Sequence, residues 1–413
     1  MSEKRNFDII VWGATGFTGR LVAEYLTVHA PKQVKFAIAG RSKSKLAEIA
    51  NMIKPLDKVD RFASGVPTLV ADSSDQKSLD ALVAQAKVII TTVGPYAKYV
   101  DACVRHRTHY LDLTGEPHFV KKVIDLYHDK AVENKTLIIN SSGFDSVPSD
   151  IGTLLIANHF KSKGLSTNNV RYSSWAVSGG VSGGTLASGT NMIDELSFKQ
   201  LMELNSNPDY LTPKQPNKST WTSAGMYYDK GLKVWQFPFI MEVCNLRNVR
   251  RSNYLLDYGP NFQYCEGTRA PNVIVAAIAT VVIYSVTVLM LLKPFRRLIS
   301  YLVPPGTGPN EKTRKNGHFT CKLYGEATDK SGKNIGALAV VKGVEDPGYG
   351  ETSKMISEAA LTLVLDQEKF NDPSVVGQFK LHAGGVVTPA SAMGLAYAIR
   401  LRNAGMTFSV SDA

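Results

Sequence analysis

The sequence predicts an α/β protein: an N-terminal Rossmann-type, doubly wound parallel sheet followed by a second α+β domain. Three observations carry this prediction. Short apolar runs alternate with amphipathic helical stretches through residue 145. The first apolar run, residues 7–12, ends in a glycine-spaced turn from which a helix starts at once. Beyond residue 164 the pattern changes to longer alternating stretches with turn-rich connections, as in antiparallel pairs. The domains are therefore expected at 1–160 and 161–413.

The turn reads Gly13-Ala14-Thr15-Gly16-Phe17-Thr18-Gly19. Gly13 can take backbone angles closed to other residues, Gly16 lets a phosphate approach the main chain, and Gly19 lets the helix lie close on the strand. The free N–H groups at the helix start would face a pyrophosphate. Phe17, Leu21 and Tyr25 continue the helix on one face. The second strand, 34–39, ends in Gly40-Arg41-Ser42. An NAD enzyme places an acid there for the ribose 2′-hydroxyl. Arg41 stands there instead, and a guanidinium can clamp a 2′-phosphate through paired hydrogen bonds, so NADP(H) is expected over NAD(H).

The third strand, 68–72, places Asp72 toward the adenine side. The fourth, 88–93, runs into Val93-Gly94-Pro95-Tyr96, at the carboxyl edge where parallel sheets bind ligands. The fifth, 110–113, leads to Thr114-Gly115-Glu116-Pro117, and the sixth, 136–140, to Gly143-Phe144-Asp145-Ser146-Val147-Pro148-Ser149-Asp150. Pro148 suits the first turn of a helix reaching about residue 160. The strand-end acids Asp112, Glu116, Asp145 and Asp150 are the candidates for chemistry. Strand-end acids also cap helices, and for Asp150 that role is the stronger reading. Tyr96, Glu116 and Asp145 are taken as the catalytic candidates.

In the second half, 169–177 alternates like a half-buried strand. A second glycine-rich turn, 178–185, opens a helix expected to reach about Leu204. That turn lacks the lysine of a phosphate loop. Residues 205–235, rich in Pro, Lys, Asn and Tyr, read as a long loop. Residues 320–327 and 337–343 read as an antiparallel pair, 352–365 as a helix, Val386-Val387-Thr388-Pro389 as the opening of another helix, and 406–410 as a closing strand. These last strands are expected to complete the sheet begun at 169.

Residues 273–292 form a run of 20 without a charge, preceded by Arg269 and followed by Lys293, Arg296 and Arg297. About 20 apolar residues can cross a bilayer core. If one sheet is built from both sides of the run, a crossing would separate its strands across the membrane. A shallow or hairpin-like insertion in one leaflet is expected instead, with the basic flanks at anionic headgroups.

The 413 residues carry 47 Lys+Arg against 36 Asp+Glu, a net charge of +11 that favours anionic partners. No basic stripe interleaved with aromatic residues points to nucleic acid. Cys103, Cys244, Cys265 and Cys321 are scattered and give neither a metal site nor a disulfide framework. The N-terminus, Met-Ser-Glu-Lys-Arg-Asn, shows no secretion signal.

Over nearly its whole length the sequence resembles the saccharopine dehydrogenase-like oxidoreductases of eukaryotes, relatives of the mycobacterial trans-acting enoyl reductases. The resemblance rests on 13–19, Ala39-Gly40-Arg41-Ser42, Val93-Gly94-Pro95-Tyr96, Thr114-Gly115-Glu116-Pro117, 142–150 and Gly384-Gly385-Val386-Val387-Thr388-Pro389. It implies an NADP-type Rossmann domain, a second α+β domain and association with lipid droplets or membranes. It hands over no reaction. The reading is an NADP(H)-dependent oxidoreductase for a hydrophobic, lipid-derived substrate at a lipid-droplet surface or a cytosol-facing membrane such as the endoplasmic reticulum. It leaves room for a homodimer. The alternatives are a non-catalytic NADP(H)-binding lipid-droplet protein and a soluble saccharopine-type amino-acid dehydrogenase.

Overall fold

A computed structural model describes residues 5–93, 96–179, 190, 192–213, 225–302 and 308–413. The first half alternates β1 (Phe7–Trp12), α1 (Phe17–His29), β2 (Phe36–Gly40), α2 (Lys43–Ile53), β3 (Thr68–Val70), α3 (Gln76–Val83), β4 (Ala86–Thr91), α4 (Tyr96–His106), β5 (His109–Leu111), α5 (Pro117–Glu133), β6 (Leu137–Ile139) and α6 (Val147–Ser162). The second half comprises β7 (Thr167–Ser178), α7 (Phe198–Ser206), β8 (Tyr227–Asp229), β9 (Val234–Pro238), α8 (Glu242–Leu256), β10 (Gln263–Ala270), α9 (Val273–Met290), α10 (Lys293–Leu302) and α11 (Glu311–Lys315). It closes with β11 (His318–Thr328), β12 (Asn334–Gly343), α12 (Thr352–Leu365), α13 (Pro373–Val376), β13 (Gly385–Val387), α14 (Pro389–Asn403) and β14 (Thr407–Asp412).

The first sheet has the order β13-β6-β5-β4-β1-β2-β3, with every pair parallel. Its strands are continuous apolar runs because both faces are covered by helices. Ile9 and Val11 enter one core, while Ile10 and Trp12 enter the other. A one-residue change of register would carry each side chain into the opposite core and mispack both together.

The second sheet has the order β14-β12-β11-β7-β10-β9-β8. Both β7 and β10 precede the apolar run, and β11, β12 and β14 follow it, so a single sheet is built from its two sides. The expected hairpin is present, with Leu323 opposite Ala339. Helix α6 links the two halves: a Cβ on Gly152 would lie 2.8 Å from Leu323, and one on Gly325 would lie 2.3 Å from Ile156.

Three sequence expectations are corrected. Residues 385–387, read only as a helix opening, are β13, which pairs with β6 and adds a seventh strand to the N-terminal sheet. A division at residue 160 therefore leaves one strand of that sheet in the C-terminal half. Within 205–235, read as a loop, lie β8 and the start of β9, and 214–224 lies outside the described residues. The helix expected to run from the second glycine-rich turn to Leu204 is interrupted: Ser197 caps a separate α7, while most of that turn (180–189) lies outside the described residues.

Helix α8 carries Arg247, Arg250 and Arg251, yet all three are buried. Arg250 pairs with Asp209 at 2.7 Å and donates to Phe262 O, and Arg251 donates to Leu211 O at 2.6 Å. The residues that compensate these charges are remote in sequence, so the helix reads as polar although it packs as core.

Candidate active site

The carboxyl edge of the first sheet collects the nucleotide-binding turn and the candidate acids. Gly13 has φ +82°, and Gly16 N–H donates to Gly13 O at 2.9 Å, closing the turn. A Cβ on Gly19 would lie 2.2 Å from Gly13 O, and one on Gly13 2.7 Å from Val93 Cγ2. The turn therefore admits no side chain at either position. Helices α2 and α3 are capped by Ser42 and Asp75, whereas no side chain caps α1. A turn stripped to glycine in front of an uncapped helix start suits a pyrophosphate. Ala14 is buried against the strand, Thr15 is exposed, and Thr18 lies in the first turn of α1.

Phe17 supplies the first residue of α1, but its ring turns to the second half of the chain. It meets the Tyr349 ring edge-on at 4.7 Å, with Arg314 at 5.5 Å and Arg20 at 5.7 Å. Arg41 is exposed just past β2, where a 2′-phosphate would sit. The Ser42 hydroxyl accepts Lys45 N–H. Asp72 accepts the N–H and hydroxyl of Ser74, both at 2.8 Å, which hold its carboxyl below the usual range. Val93 leans on Gly13 and Gly16. Gly94 and Pro95 lie outside the described residues.

The acids separate into distinct environments. Asp112 is fully buried and accepts hydrogen bonds from Thr114 N (3.1 Å), Ser141 N (3.1 Å), Asn140 Nδ2 (2.7 Å) and the Tyr110 hydroxyl (3.0 Å). Burial pushes it up to about 6 against those bonds, and it ties the β5 and β6 ends together. Asp150 is also pushed up to about 6 by burial. It accepts Ala390 N–H at 2.8 Å and the Ser252 hydroxyl, so it caps α14 rather than its own helix.

Tyr96 opens α4 and packs against Phe119 with ring centroids 5.6 Å apart. Burial first, then the charges of Asp112 and Glu116, hold its hydroxyl above the ordinary range, so it stays protonated at neutral pH. Glu116 stands just before Pro117 at the start of α5, its N–H donating to Thr114 Oγ1 at 3.3 Å. Tyr96 and Glu116 are thus brought together. Asp145 is not with them; it lies within electrostatic range of Cys244 and Tyr172. It is half-buried and, among the described residues, receives no hydrogen bond, so burial alone raises it to about 6. A carboxylate without a donor, next to a loop pinned by Phe144 N–H on Thr352 Oγ1 (3.0 Å) and Phe144 against Phe319 (4.7 Å), differs sharply from satisfied Asp112.

Several residues here carried no local signal. Thr352 follows a π-helical turn, Pro347–Glu351, and such turns often mark functional sites. His118, beside Glu116, pairs with Glu195 at 3.1 Å. Glu266, which like Asp145 lies within electrostatic range of Tyr172, is buried and raised to about 8 by burial, with hydrogen bonds from Ser149 (2.5 Å), Tyr264 (2.6 Å) and Asn245 (3.0 Å). Among the described residues no group of three or more His, Cys, Asp or Glu could hold a metal ion.

Comparison with known proteins gives the family. Residues 9–139 match the saccharopine dehydrogenase NADP binding domain. The chain is 36% identical, over 98% of both chains, to a Mycobacterium tuberculosis protein provisionally named as a trans-acting enoyl reductase. It belongs to the family of the mycobacterial trans-acting enoyl reductases. The trans-acting enoyl reductase of Mycobacterium ulcerans is 32% identical over 99% of both chains. Saccharopine dehydrogenase (L-Glu forming) from Saccharomyces cerevisiae, a solved structure, shares the fold with a TM-score of 0.57 at 12% identity, covering 98% of this chain and 100% of that one. The family is one of NADP-binding oxidoreductases, and NADP(H) is the cofactor of this chain. The side-chain-free turn at Gly13, Gly16 and Gly19 fits that cofactor.

Proposed function

We propose that this member of the trans-acting enoyl reductase family is an NADP(H)-dependent oxidoreductase for a hydrophobic, lipid-derived substrate, working at a membrane or lipid-droplet surface on its cytosolic side. The observation that carries the location is α9. It has 18 residues, all but Ala276 outside the core, with Ile274, Ile278, Val281 and Val288 at least 60% exposed. A helix that were simply part of a soluble core would be buried on at least one face. Its basic flanks, Arg269, Lys293 and Arg297, suit anionic headgroups. Because the second sheet is built from both sides of this helix, insertion into one leaflet suits the fold better than a crossing.

Bound NADPH supplies a hydride. The chain's contribution is to hold the pyrophosphate on the 13–19 turn, with Arg41 facing the 2′-phosphate and Ser42 and Asp72 lining the adenosine side. Val93, which leans on Gly13 and Gly16, would line the nicotinamide end. The protonated Tyr96 hydroxyl is placed to donate a hydrogen bond to a substrate oxygen. The charge of Glu116 helps keep Tyr96 protonated, and Asp145, whose carboxyl ordinarily titrates far below neutrality, holds a proton more readily after its rise to about 6.

The test is NADPH oxidation by the full chain over a panel of long-chain enoyl, keto and aldehyde lipids presented in vesicles. Turnover that falls in both Tyr96→Phe and Asp145→Asn supports the reading. NADPH binding with no turnover across the panel leaves a non-catalytic cofactor-binding protein.

A further inference from the structure

Resting on the membrane reading above, we infer that the α9–α10 hairpin is a lipid-operated clamp, so that docking on an anionic lipid surface tightens NADPH binding. One contact chain leads from this hairpin to the chemistry end of the cofactor site, and the segment from Gly308 onward, later in the sequence, reaches the pyrophosphate end. The first connection begins at the corner between the helices. Arg296 of α10 is buried and donates to the last carbonyls of α9, Met290 O at 2.8 Å and Leu291 O at 2.9 Å. Its other terminal nitrogen pairs with Asp194 at 2.5 Å. The next residue, Glu195, pairs with His118 at 3.1 Å, beside Glu116 at the chemistry end. Adjacent acids thus join the apolar hairpin to the start of α5.

The second connection lies downstream of α10. Gly308 approaches the Phe17 ring so closely that a Cβ there would stand 2.5 Å from it. Arg314 of α11 sits 5.5 Å from the same ring, and its carbonyl accepts Asp346 N–H at 2.8 Å. Asp346 in turn accepts Tyr349 N–H at 2.8 Å, and Tyr349 meets Phe17. Phe17 opens the helix that receives the pyrophosphate. One end of the site is thus tied to the helix corner through Asp194 and Glu195, and the other is held by the segment that follows α10.

In water α9 and α10 expose apolar residues on most sides, among them Tyr301 at 81% and Leu302 at 63%. None of the described residues buries those side chains, so on this proposal the hairpin is less well ordered in water than on a lipid surface. A lipid surface immobilises the hairpin, and the ordering of α1 and α5 that NADPH requires is then partly prepaid, which is positive cooperativity. The commitment to an anionic surface rests on the cations around the helix: Arg269 and Lys322 flank the Trp175 ring at 4.7 and 3.7 Å, with Lys293 and Arg297 at the far end.

The test titrates NADPH into the full chain without vesicles, with phosphatidylcholine vesicles, and with phosphatidylcholine–phosphatidylserine vesicles. The Kd should fall about five-fold or more with the anionic vesicles, the lower end of usual coupling. NADPH should raise vesicle partition by the same factor, because coupling is reciprocal. The pair Asp194→Asn and Glu195→Gln should keep vesicle binding and vesicle-free NADPH affinity while losing most of the effect. Wild-type protein that binds vesicles with unchanged NADPH affinity overturns the clamp alone. Failure to bind vesicles at all overturns the membrane reading beneath it.

Discussion

Gly19 crosses Gly13 so closely that a Cβ on Gly19 would sit 2.2 Å from the Gly13 carbonyl oxygen. This contact brings the start of α1 down onto β1. Gly19→Ala should therefore displace the helix start and weaken NADPH binding more than ten-fold, read by fluorescence titration. Gly164→Ala is the contrast: its φ of +72° makes the change mildly strained, by about 1 kcal/mol, but nothing lies within 4 Å, so cofactor affinity should hold.

Arg41 stands exposed past β2, and among the described residues no ion pair within 4 Å holds it. Arg41→Ala should raise the Kd for NADPH about ten-fold or more, the loss of one bidentate charged contact of roughly 1.5–3 kcal/mol. The NADH affinity should change little. Equal losses for both cofactors would remove the 2′-phosphate assignment.

Asp145 provides a pH signature. Its folded-state carboxyl lies near 6 against an ordinary 3.8, so the folded form binds the proton more tightly than the unfolded chain. Below about pH 4 both forms are protonated and nothing is lost. As pH rises from about 4 through 6, ionisation destabilises the fold by on the order of 3 kcal/mol. Asp145→Asn should match wild type in denaturant stability near pH 4 and exceed it at pH 8, while losing turnover. A wild-type advantage at pH 8 would mean that the carboxylate is satisfied in the fold.

Glu266 should behave differently, because three side-chain donors hold it. Its carboxyl lies near 8 and is largely neutral at pH 7. Glu266→Gln should be nearly silent in thermal unfolding at neutral pH. Glu266→Ala, which removes the shared acceptor of Ser149, Tyr264 and Asn245 and leaves a cavity in the core, should cost about 2–4 kcal/mol.

Val281 and Val282 of α9 are 65% and 53% exposed. Replacing both with Asp should leave unfolding within about 0.5 kcal/mol, as for other surface changes, yet sharply reduce flotation with anionic vesicles. Lost stability with unchanged flotation would assign the helix to a protein partner, such as a second copy of this chain.

The sequence by itself determined the glycine turn, the parallel alternation of the first half, the arginine at the end of β2 and the bare apolar run. Each is local: a backbone that only glycine adopts, or a repeat set by helix and strand geometry over a few residues. It also indicated Tyr96, Glu116 and Asp145 as edge residues, since the ends of parallel strands are legible from the runs before them. Only the tertiary structure decided which of those acids is satisfied. Asp112 and Asp145 look alike in sequence, yet one accepts four hydrogen bonds and the other, among the described residues, none. Tertiary structure also decided that β13 joins the N-terminal sheet, that α8 is core despite its arginines, and that Phe17 faces Tyr349. Those outcomes depend on partners far away in the chain, as Ala390 is from Asp150, and a burial cost is cancelled or left standing by groups that no local pattern names.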